Sequence, residues 1–243
     1  MKTKNLDIVY CVKEDNTSEE LRYSLRSLKN MPHKKVYIYG GCPDWVNKKT
    51  VKHIPIPQTM GNKWLNTRQL LAEIVKNPDI SDNFIWFNDD FFITHEVENL
   101  DYMYNRTLLD RAGDFLRGTT YVSKYSHRLI DASNALEQND KPTKNFELHV
   151  PIIFNKQKLA KIIEQYPTIG ATRSLYCNTY VKEAIERTDV KIYAAMSFPN
   201  PKIEFLSTSD ASFAIGQVGK YLKNLFREPC KYEKEVKNGQ WTR

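Results

Sequence analysis

Glycine is scarce in this 243-residue sequence, which contains nine glycines, about 4% of the chain against a usual share of ~7%. Neither of two familiar glycine-rich phosphate-binding patterns, G-x-G-x-x-G and G-x-x-x-x-G-K-[ST], occurs in it. In such loops the missing side chains let backbone amides approach a phosphate closely. The sequence therefore gives no support to a dinucleotide-binding or P-loop site, and any nucleotide must be held in another way.

Cysteine pairs and long apolar runs are also missing. The four cysteines form no C-x-x-C pair, so neither a structural zinc site nor a disulfide framework is indicated. No apolar run approaches the roughly 18 residues of a membrane span, and residues 1–5 lead into a short strand pattern rather than a signal peptide. We therefore expect a cytoplasmic protein without a membrane span.

Basic residues outnumber acidic ones, with 36 Lys and Arg against 29 Asp and Glu and a formal net charge of +7. Such a balance favours anionic partners. It leaves open an enzyme that modifies nucleic acid, or a non-catalytic basic nucleic-acid-binding protein. The excess is spread along the chain and no nucleic-acid-binding motif accompanies it, so nucleic acid is not the favoured partner.

The first ninety residues alternate between strand and helix patterns. Apolar, β-branched runs predict strands at 6–12, 35–39, 51–56 and 83–87, and apolar spacing predicts helices at about 18–30 and 65–76. Thr17 and Glu20 have the spacing of a capping box for the first helix. This alternation predicts an α/β fold with a mostly parallel central sheet flanked by helices. Ligands of such sheets bind at the carboxyl ends of the strands.

The rest of the chain is less regular. Strands are predicted at 149–154 and 190–196, and helices at 156–165, at 174–187 and from a cap at Ser209 or Asp210 to about 226. We expect residues 1–226 to form one α/β domain with an insertion or lid at 95–145, where periodicity is weak. Residues 227–243 are expected to form a loose, basic C-terminal extension.

The strongest local signal is the acidic turn Asn88-Asp89-Asp90, which follows the apolar strand at 83–87. Mg²⁺ and Mn²⁺ prefer oxygen ligands and commonly bridge one or two carboxylates to substrate phosphates. Asp89 and Asp90 are therefore candidate metal ligands. The alternative is an Asx-type turn that caps the following segment.

Arginines on the first predicted helix form a second candidate group. Arg22 and Arg26 are four residues apart and share a helix face, where they could bind a phosphate group. The alternative is that they are solvated or pair with Glu19 and Glu20.

Three further residues have two interpretations each. His149 precedes a strand and is a candidate general base or a structural histidine. Arg173 precedes a predicted helix and is a candidate anion-binding cation or part of a helix cap. Asp210 is a candidate site residue or a helix N-cap.

The order of these segments resembles the conserved blocks of the Stealth family of sugar-1-phosphate transferases. The matching blocks are Asp7-Ile8-Val9-Tyr10, the run from Glu20 to Leu28 (ELRYSLRSL), Val36-Tyr37-Ile38-Tyr39-Gly40, Pro43-Asp44-Trp45-Val46-Asn47, Phe87-Asn88-Asp89-Asp90-Phe91, His149-Val150-Pro151, Arg173-Ser174 and Ser209-Asp210-Ala211-Ser212-Phe213. The chain departs from the family after Tyr10, where Cys11-Val12-Lys13 stands in place of Thr-Trp-Val, and at Ser209, where Asn is usual.

The resemblance implies a GT-A-like core in which a nucleotide sugar bound with Mg²⁺ or Mn²⁺ meets an acceptor hydroxyl. Asp89 and Asp90 would lie at the metal and the diphosphate, and His149, Arg173 and Asp210 would complete the catalytic site with Asp90. Asp7, Arg22, Arg26 and Asn88 would support nucleotide or phosphate binding.

The expected function is therefore a metal-dependent transferase of polysaccharide biosynthesis. It would move a sugar or a sugar 1-phosphate from a nucleotide sugar, most simply a UDP-sugar, to a hydroxyl on a glycan or other polymer, including an anionic one. The sequence leaves the two reactions open. Phosphosugar transfer releases a nucleoside monophosphate, whereas glycosyl transfer releases a nucleoside diphosphate.

Overall fold

The computed structural model describes residues 1–14, 19–115, 122–237 and 240–241, the last four described positions (236, 237, 240 and 241) by their backbone alone. The strands in these residues are β1 (Asp7–Val12), β2 (Val36–Gly40), β3 (Val51–Ile54), β4 (Asn83–Asn88), β5 (Phe91–Ile93), β6 (Met103–Tyr104), β7 (Ile152–Asn155), β8 (Ile185–Glu186), β9 (Lys191–Ile192), β10 (Phe205–Thr208), β11 (Val236–Lys237) and β12 (Gln240–Trp241). The helices are α1 (Glu19–Ser27), which continues as a 3₁₀ turn at Leu28–Asn30, α2 (Lys63–Lys76), α3 (Leu108–Asp114), α4 (Lys124–Glu137), α5 (Lys156–Gln165), α6 (Thr172–Tyr180), α7 (Asp210–Ile215) and α8 (Gln217–Leu225).

The central sheet has the strand order β3-β2-β1-β4-β7. Strands β1 to β4 are parallel, and β7 joins the edge antiparallel to β4. The predicted α/β fold with a mostly parallel central sheet flanked by helices is confirmed. Because β1 and β4 are parallel neighbours, their carboxyl ends meet, and Cys11 lies opposite Asn88.

The two faces of the sheet follow from the alternation of side chains along β1. Ile8 and Tyr10 point into a core shared with Leu21 and Leu25 of α1. Val9 points the other way, into a core that α2, α4, α5 and α6 help to build. Burial on both faces explains why the central strands read as continuous apolar runs.

A second, three-stranded sheet has the order β5-β10-β9. Strand β10 is antiparallel to β5 and parallel to β9. Helices α7 and α8 cover it through a small core in which the rings of Phe92 and Phe213 stack with centroids 5.9 Å apart. The acidic turn lies between β4 of the first sheet and β5 of the second, so it stands where the two sheets meet.

Several predicted elements differ from the structure. The segment 95–145 contains two helices, α3 and α4, and Leu129, Ala132 and Leu136 of α4 are buried in the main core. The helix predicted at 174–187 ends at Tyr180, because residues 185–186 pair with β6 instead. The last predicted helix divides at Gly216 into α7 and α8. The predicted cap Thr17 lies outside the described residues.

The expectation of a loose C-terminal extension is wrong for residues 230–235. Tyr232 and Glu233 are buried, and the backbone N–H of Lys234 donates to the carbonyl of Trp45 at 2.8 Å. The physical reason is an ion pair between Glu233 and Arg26, which secures the segment against α1. Among the described helices, none has the length and apolar character needed to cross a bilayer.

Candidate active site

The acidic turn stands at the carboxyl end of the central sheet, as the sequence predicts. Asn88 is the last residue of β4, and Asp89 and Asp90 form the turn before β5. All three side chains are partly exposed. The turn therefore presents an amide and two carboxylates at the edge where parallel sheets bind ligands.

Asp90 is held by the second sheet. The Nζ atom of Lys191 lies 2.7 Å from Oδ2 of Asp90, and the hydroxyl of Ser207 donates to the same oxygen at 3.1 Å. Lys191 and Ser207 are neighbours on the parallel strands β9 and β10. The other carboxylate oxygen, Oδ1, is buried and has no hydrogen-bond partner among the described residues.

Negative charge accumulates around this turn. Desolvation, followed by the charges of Asp90 and Glu20, raises the pKa of the Asp89 carboxyl well above its ordinary value. Burial also raises the pKa of Glu20 to about 7, although the hydroxyl of Thr208 donates to its Oε1 at 2.7 Å. Burial and mutual repulsion oppose the ionisation of these neighbouring carboxyl groups, and a bound cation would favour their charged forms.

His149 is paired with an aspartate that follows it in sequence by forty residues. Its ring Nδ1 lies 2.8 Å from Oδ2 of Asp189, and its backbone N–H donates to Oδ1 at 2.9 Å. Asp189 thereby fixes both the backbone and the ring. With Nδ1 bound to a carboxylate, a neutral imidazole has its lone pair on Nε2 and can accept a proton there.

Arg173 holds the backbone on both sides of this histidine. Its guanidinium donates to the backbone carbonyls of Leu148 and Val150, the residues on either side of His149. It also lies over the ring of Trp86 at 4.7 Å. Burial lowers the pKa of Arg173 to about 10, so it remains a cation at neutral pH. The structure places it as a positioning residue for the segment that carries His149.

Two cavities adjoin the acidic turn. The His149 cavity, of about 350 Å³, is bordered by Asn88, His149, Arg173, Lys191 and an aromatic wall of Trp64, Phe115, Tyr125 and Tyr193. The β1 cavity, of about 560 Å³, lies between residues 11–14, which include the last two residues of β1, and the first turns of α2, and it reaches Asp89. Lys63, Thr67 and Asn88 border both cavities, so the two cavities are neighbours on this side of the molecule.

The donors at the acidic turn fit a divalent cation that shares its ligands with a substrate. No group of three or more His, Cys, Asp or Glu side chains able to hold a metal occurs in the described part of the chain. Mg²⁺ usually takes one or two carboxylates and completes its shell with phosphate oxygens and water. Asp89 and the buried Oδ1 of Asp90 supply that partial set.

Asp7 is not part of this site. It lies at the amino end of β1, and its carboxylate accepts hydrogen bonds from the backbone N–H of Lys35 and from the backbone N–H and hydroxyl of Ser81. The predicted role in nucleotide binding is not supported, because Asp7 lies at the opposite end of β1 from the acidic turn. Its observed role is to tie two loops to the first strand.

Arg22 and Arg26 also have structural partners. Arg22 pairs with Glu19 at 2.9 Å, as the alternative interpretation expects, and its guanidinium lies over Trp45 at 4.7 Å. Arg26 forms a bidentate ion pair with Glu233. The predicted phosphate role of these arginines is therefore not supported, since carboxylates and a ring occupy their guanidinium groups.

Asp210 is exposed at the first position of α7, which Ser209 caps by accepting from the backbone N–H of Ser212. The charge of Asp210 contributes to the raised pKa of Glu20. The structure thus brings Asp210 toward the acidic turn without placing it among the residues that border the two cavities described above.

Sequence reasoning missed Asp189, Lys191 and the hydrogen bond from Thr208 to Glu20. It also missed Glu147, whose carboxylate accepts from Ser174 and pairs with Arg128 at 3.0 Å. Asp189 directly precedes the strand predicted at 190–196 and Lys191 lies at its start, and this position was the available signal.

Comparisons with known proteins agree with this architecture. No protein-family model matches the chain. The capsular polysaccharide phosphotransferase LcbA of Aeromonas hydrophila is 25% identical over 145 residues, which are 56% of this chain and 37% of that protein. The chain therefore matches little more than a third of the length of its relative.

Among solved structures, the galactosyltransferase LgtC in complex with donor and acceptor sugar analogues superposes with a TM-score of 0.50 at 10% identity. The superposition covers 96% of this chain and 98% of LgtC. At 10% identity, the match to LgtC shows only that the two proteins share a fold. Together with the sequence relative, it confirms that this chain resembles the Stealth-like transferases of GT-A fold.

Proposed function

We propose that the protein is a nucleotide-sugar-dependent transferase that moves a sugar or a sugar 1-phosphate onto an acceptor hydroxyl. The observation that carries this proposal is the His149–Asp189 pair, because His149 borders the same cavity as Asn88 of the acidic turn. Such a transfer requires a base, a cation and room for donor and acceptor, which His149, the acidic turn and the two neighbouring cavities would supply.

The β1 cavity suits the nucleotide part of the donor. It is bordered by two lysines, Lys13 and Lys63, and by the first turn of α2. Asn62 caps α2 by accepting from the backbone N–H of Trp64. The positive end of a helix dipole and two ammonium groups both favour a diphosphate. The reacting end of the donor would then lie near Asn88, which the two cavities share.

Asp89 and Asp90 would hold a Mg²⁺ or Mn²⁺ ion between protein and diphosphate. When bound, such an ion supplies positive charge that stabilises the departing phosphate. Two lysines that border the His149 cavity, Lys63 and Lys191, would add positive charge near the same position. Positioning and charge stabilisation are the main contributions of a protein to phosphoryl transfer.

The His149 cavity suits the acceptor. Its aromatic wall provides apolar faces on which a sugar ring can stack, and His149 would take the proton from the attacking hydroxyl at Nε2. Asp189 would stabilise the imidazolium that forms, as the carboxylate does in other His–Asp pairs. The hydroxyl oxygen forms a new bond to phosphorus or to the anomeric carbon, and the nucleoside monophosphate or diphosphate leaves.

Identification of the released nucleotide tests donor class and reaction together. Purified protein is incubated with UDP-, GDP- and CMP-sugars and Mn²⁺, and the products are separated by chromatography. We expect one donor to be consumed, with turnover reduced at least ~100-fold in His149→Gln. The control is His95→Gln, because His95 lies on an exposed loop. If no donor is consumed and none raises the Tm, the proposal is wrong.

A further inference from the structure

We propose that Lys191 is a resident counter-ion that competes with a divalent cation for Asp90 and binds the donor's diphosphate once that cation is in place. This inference rests on the proposed function, because it assigns a role within the same site. Neither the sequence motifs nor the resemblance points to Lys191. It is a residue of the second sheet that reaches the acidic turn only in the folded chain.

The first step is the geometry of the ion pair. The side chain of Lys191 is 16% exposed and that of Asp90 is 13% exposed, with 2.7 Å between Nζ and Oδ2. Ser207, beside Lys191 on the adjacent strand, donates to the same oxygen. Oδ2 is thus occupied twice, while the buried Oδ1 has no hydrogen-bond partner among the described residues. A cation would bind Asp90 through Oδ1.

The second step is the repulsion that such binding creates. The two oxygens of one carboxylate share a carbon atom, so a cation held by Oδ1 would lie close to an ammonium that stays on Oδ2. At such a short separation, like charges in a partly buried site repel strongly. Either the cation binds weakly or the ammonium moves away from Asp90. Lys191 therefore sets the affinity of the acidic turn for metal.

The third step concerns where the ammonium of Lys191 goes when it leaves Asp90. Lys191 borders the His149 cavity together with Asn88 and Tyr193, and its Nζ lies 5.7 Å from the centroid of the Tyr193 ring. A lysine has a flexible four-carbon stem, so a modest rotation brings Nζ into the cavity while the strand stays in place. There the ammonium can bind a diphosphate oxygen beside the metal.

The test is Lys191→Met, which keeps the aliphatic stem and removes the charge. Mn²⁺ binding is measured by electron paramagnetic resonance at about pH 8, above the pKa of about 7 that Glu20 has in the wild type. We expect Lys191→Met to bind Mn²⁺ at least tenfold more tightly than the wild type. Pyrophosphate binding, measured calorimetrically in saturating Mn²⁺, should be at least tenfold weaker in the variant.

Two control variants keep the test specific. Lys191→Arg retains the charge and should bind Mn²⁺ within threefold of the wild type. Lys202→Met removes one charge from an exposed loop and should leave both affinities unchanged. Opposite changes in metal and pyrophosphate affinity cannot arise from loss of folded protein, which would weaken both. Thermal denaturation of each variant checks the fold directly.

The outcomes separate this inference from the proposed function. Equal Mn²⁺ affinity in Lys191→Met and wild type overturns the competition, and equal pyrophosphate affinity overturns the role at the diphosphate. If none of the proteins binds Mn²⁺ but a donor is still consumed in the presence of a chelator, the competition is wrong while the transferase function stands. If no donor is consumed, the proposed function itself fails.

Discussion

The ion pair between Arg26 and Glu233 gives the sharpest quantitative test of the structure. Replacing Arg26 by Met removes four hydrogen bonds, two to the carboxylate of Glu233 and one each to the carbonyls of Phe226 and Arg227. The Glu233 side chain is only 1% exposed. The variant would therefore leave a buried carboxylate without its main partner.

The cost of such a change is about 3–5 kcal/mol when one member of a buried pair is removed. Arg22 retains part of the interaction, because its Nε lies 3.6 Å from Oε2 of Glu233. We therefore expect a loss of about 3 kcal/mol. For a chain of this size, each kcal/mol lowers the Tm by roughly 2–4 °C, so the Tm should fall by about 6–12 °C.

The assay is thermal denaturation followed by circular dichroism, with nucleotide affinity measured below the transition. Arg227→Met is the matched control, because that arginine is 77% exposed and pairs with an exposed glutamate; such pairs contribute at most about 1 kcal/mol. The double variant Arg26→Met, Glu233→Met should recover part of the loss. If Arg26→Met keeps its Tm but loses nucleotide binding, Arg26 is a phosphate ligand and the structural interpretation is wrong.

Three further predictions concern the base, the buried carboxyl of Glu20 and helix packing. Asp189→Asn should lower kcat at least ~100-fold with little change in donor KM, and an unchanged kcat in steady-state assays would exclude the His149–Asp189 pair as the base. Because burial raises the pKa of Glu20 from 4.5 to about 7, the folded state binds more protons than the unfolded state in that range, and stability should fall as pH rises from about 4.5 to 7. Thermal denaturation in the presence of a chelator should show that the Tm of Glu20→Gln falls less with rising pH than the Tm of the wild type. Parallel pH profiles of the two proteins would contradict this. Gly219→Ala would place a Cβ 1.8 Å from the carbonyl oxygen of Phe213 and should lower the Tm by several degrees, whereas Gly113→Ala, in open space on α3, should be neutral or stabilising by about 1 kcal/mol.

The elements that the sequence predicts well are those with strong local patterns. The apolar runs of β1 and β4 are buried on both faces, so their whole length is apolar and their position is readable. Asn155 and Ser209, which begin α5 and α7, are strong N-cap residues, and both helices start where expected. The helices α3 and α4 were missed because much of their surface is polar and only a narrow stripe enters the core.

In the candidate site, too, some residues could be predicted from the sequence and others could not. The position of Asp89 and Asp90 follows from a strand that ends in polar residues, and His149 follows from the block that resembles a known family. The partners that orient these residues were not predicted. Asp7, Arg22 and Arg26 fit the same resemblance, yet the carboxylate of Asp7 binds loop residues and the two arginines pair with Glu19 and Glu233.

By itself, the sequence determined the α/β class, the acidic turn at the end of a central strand and the absence of glycine-rich phosphate loops. These features depend on local composition and on residue periodicity. Only the tertiary structure decided which charges meet: Lys191 with Asp90 across 101 residues, Asp189 with His149 across 40 and Glu233 with Arg26 across 207. The physical reason is that an ion pair between distant segments requires only that folding bring two side chains within a few ångströms, and this leaves no periodic pattern in either segment.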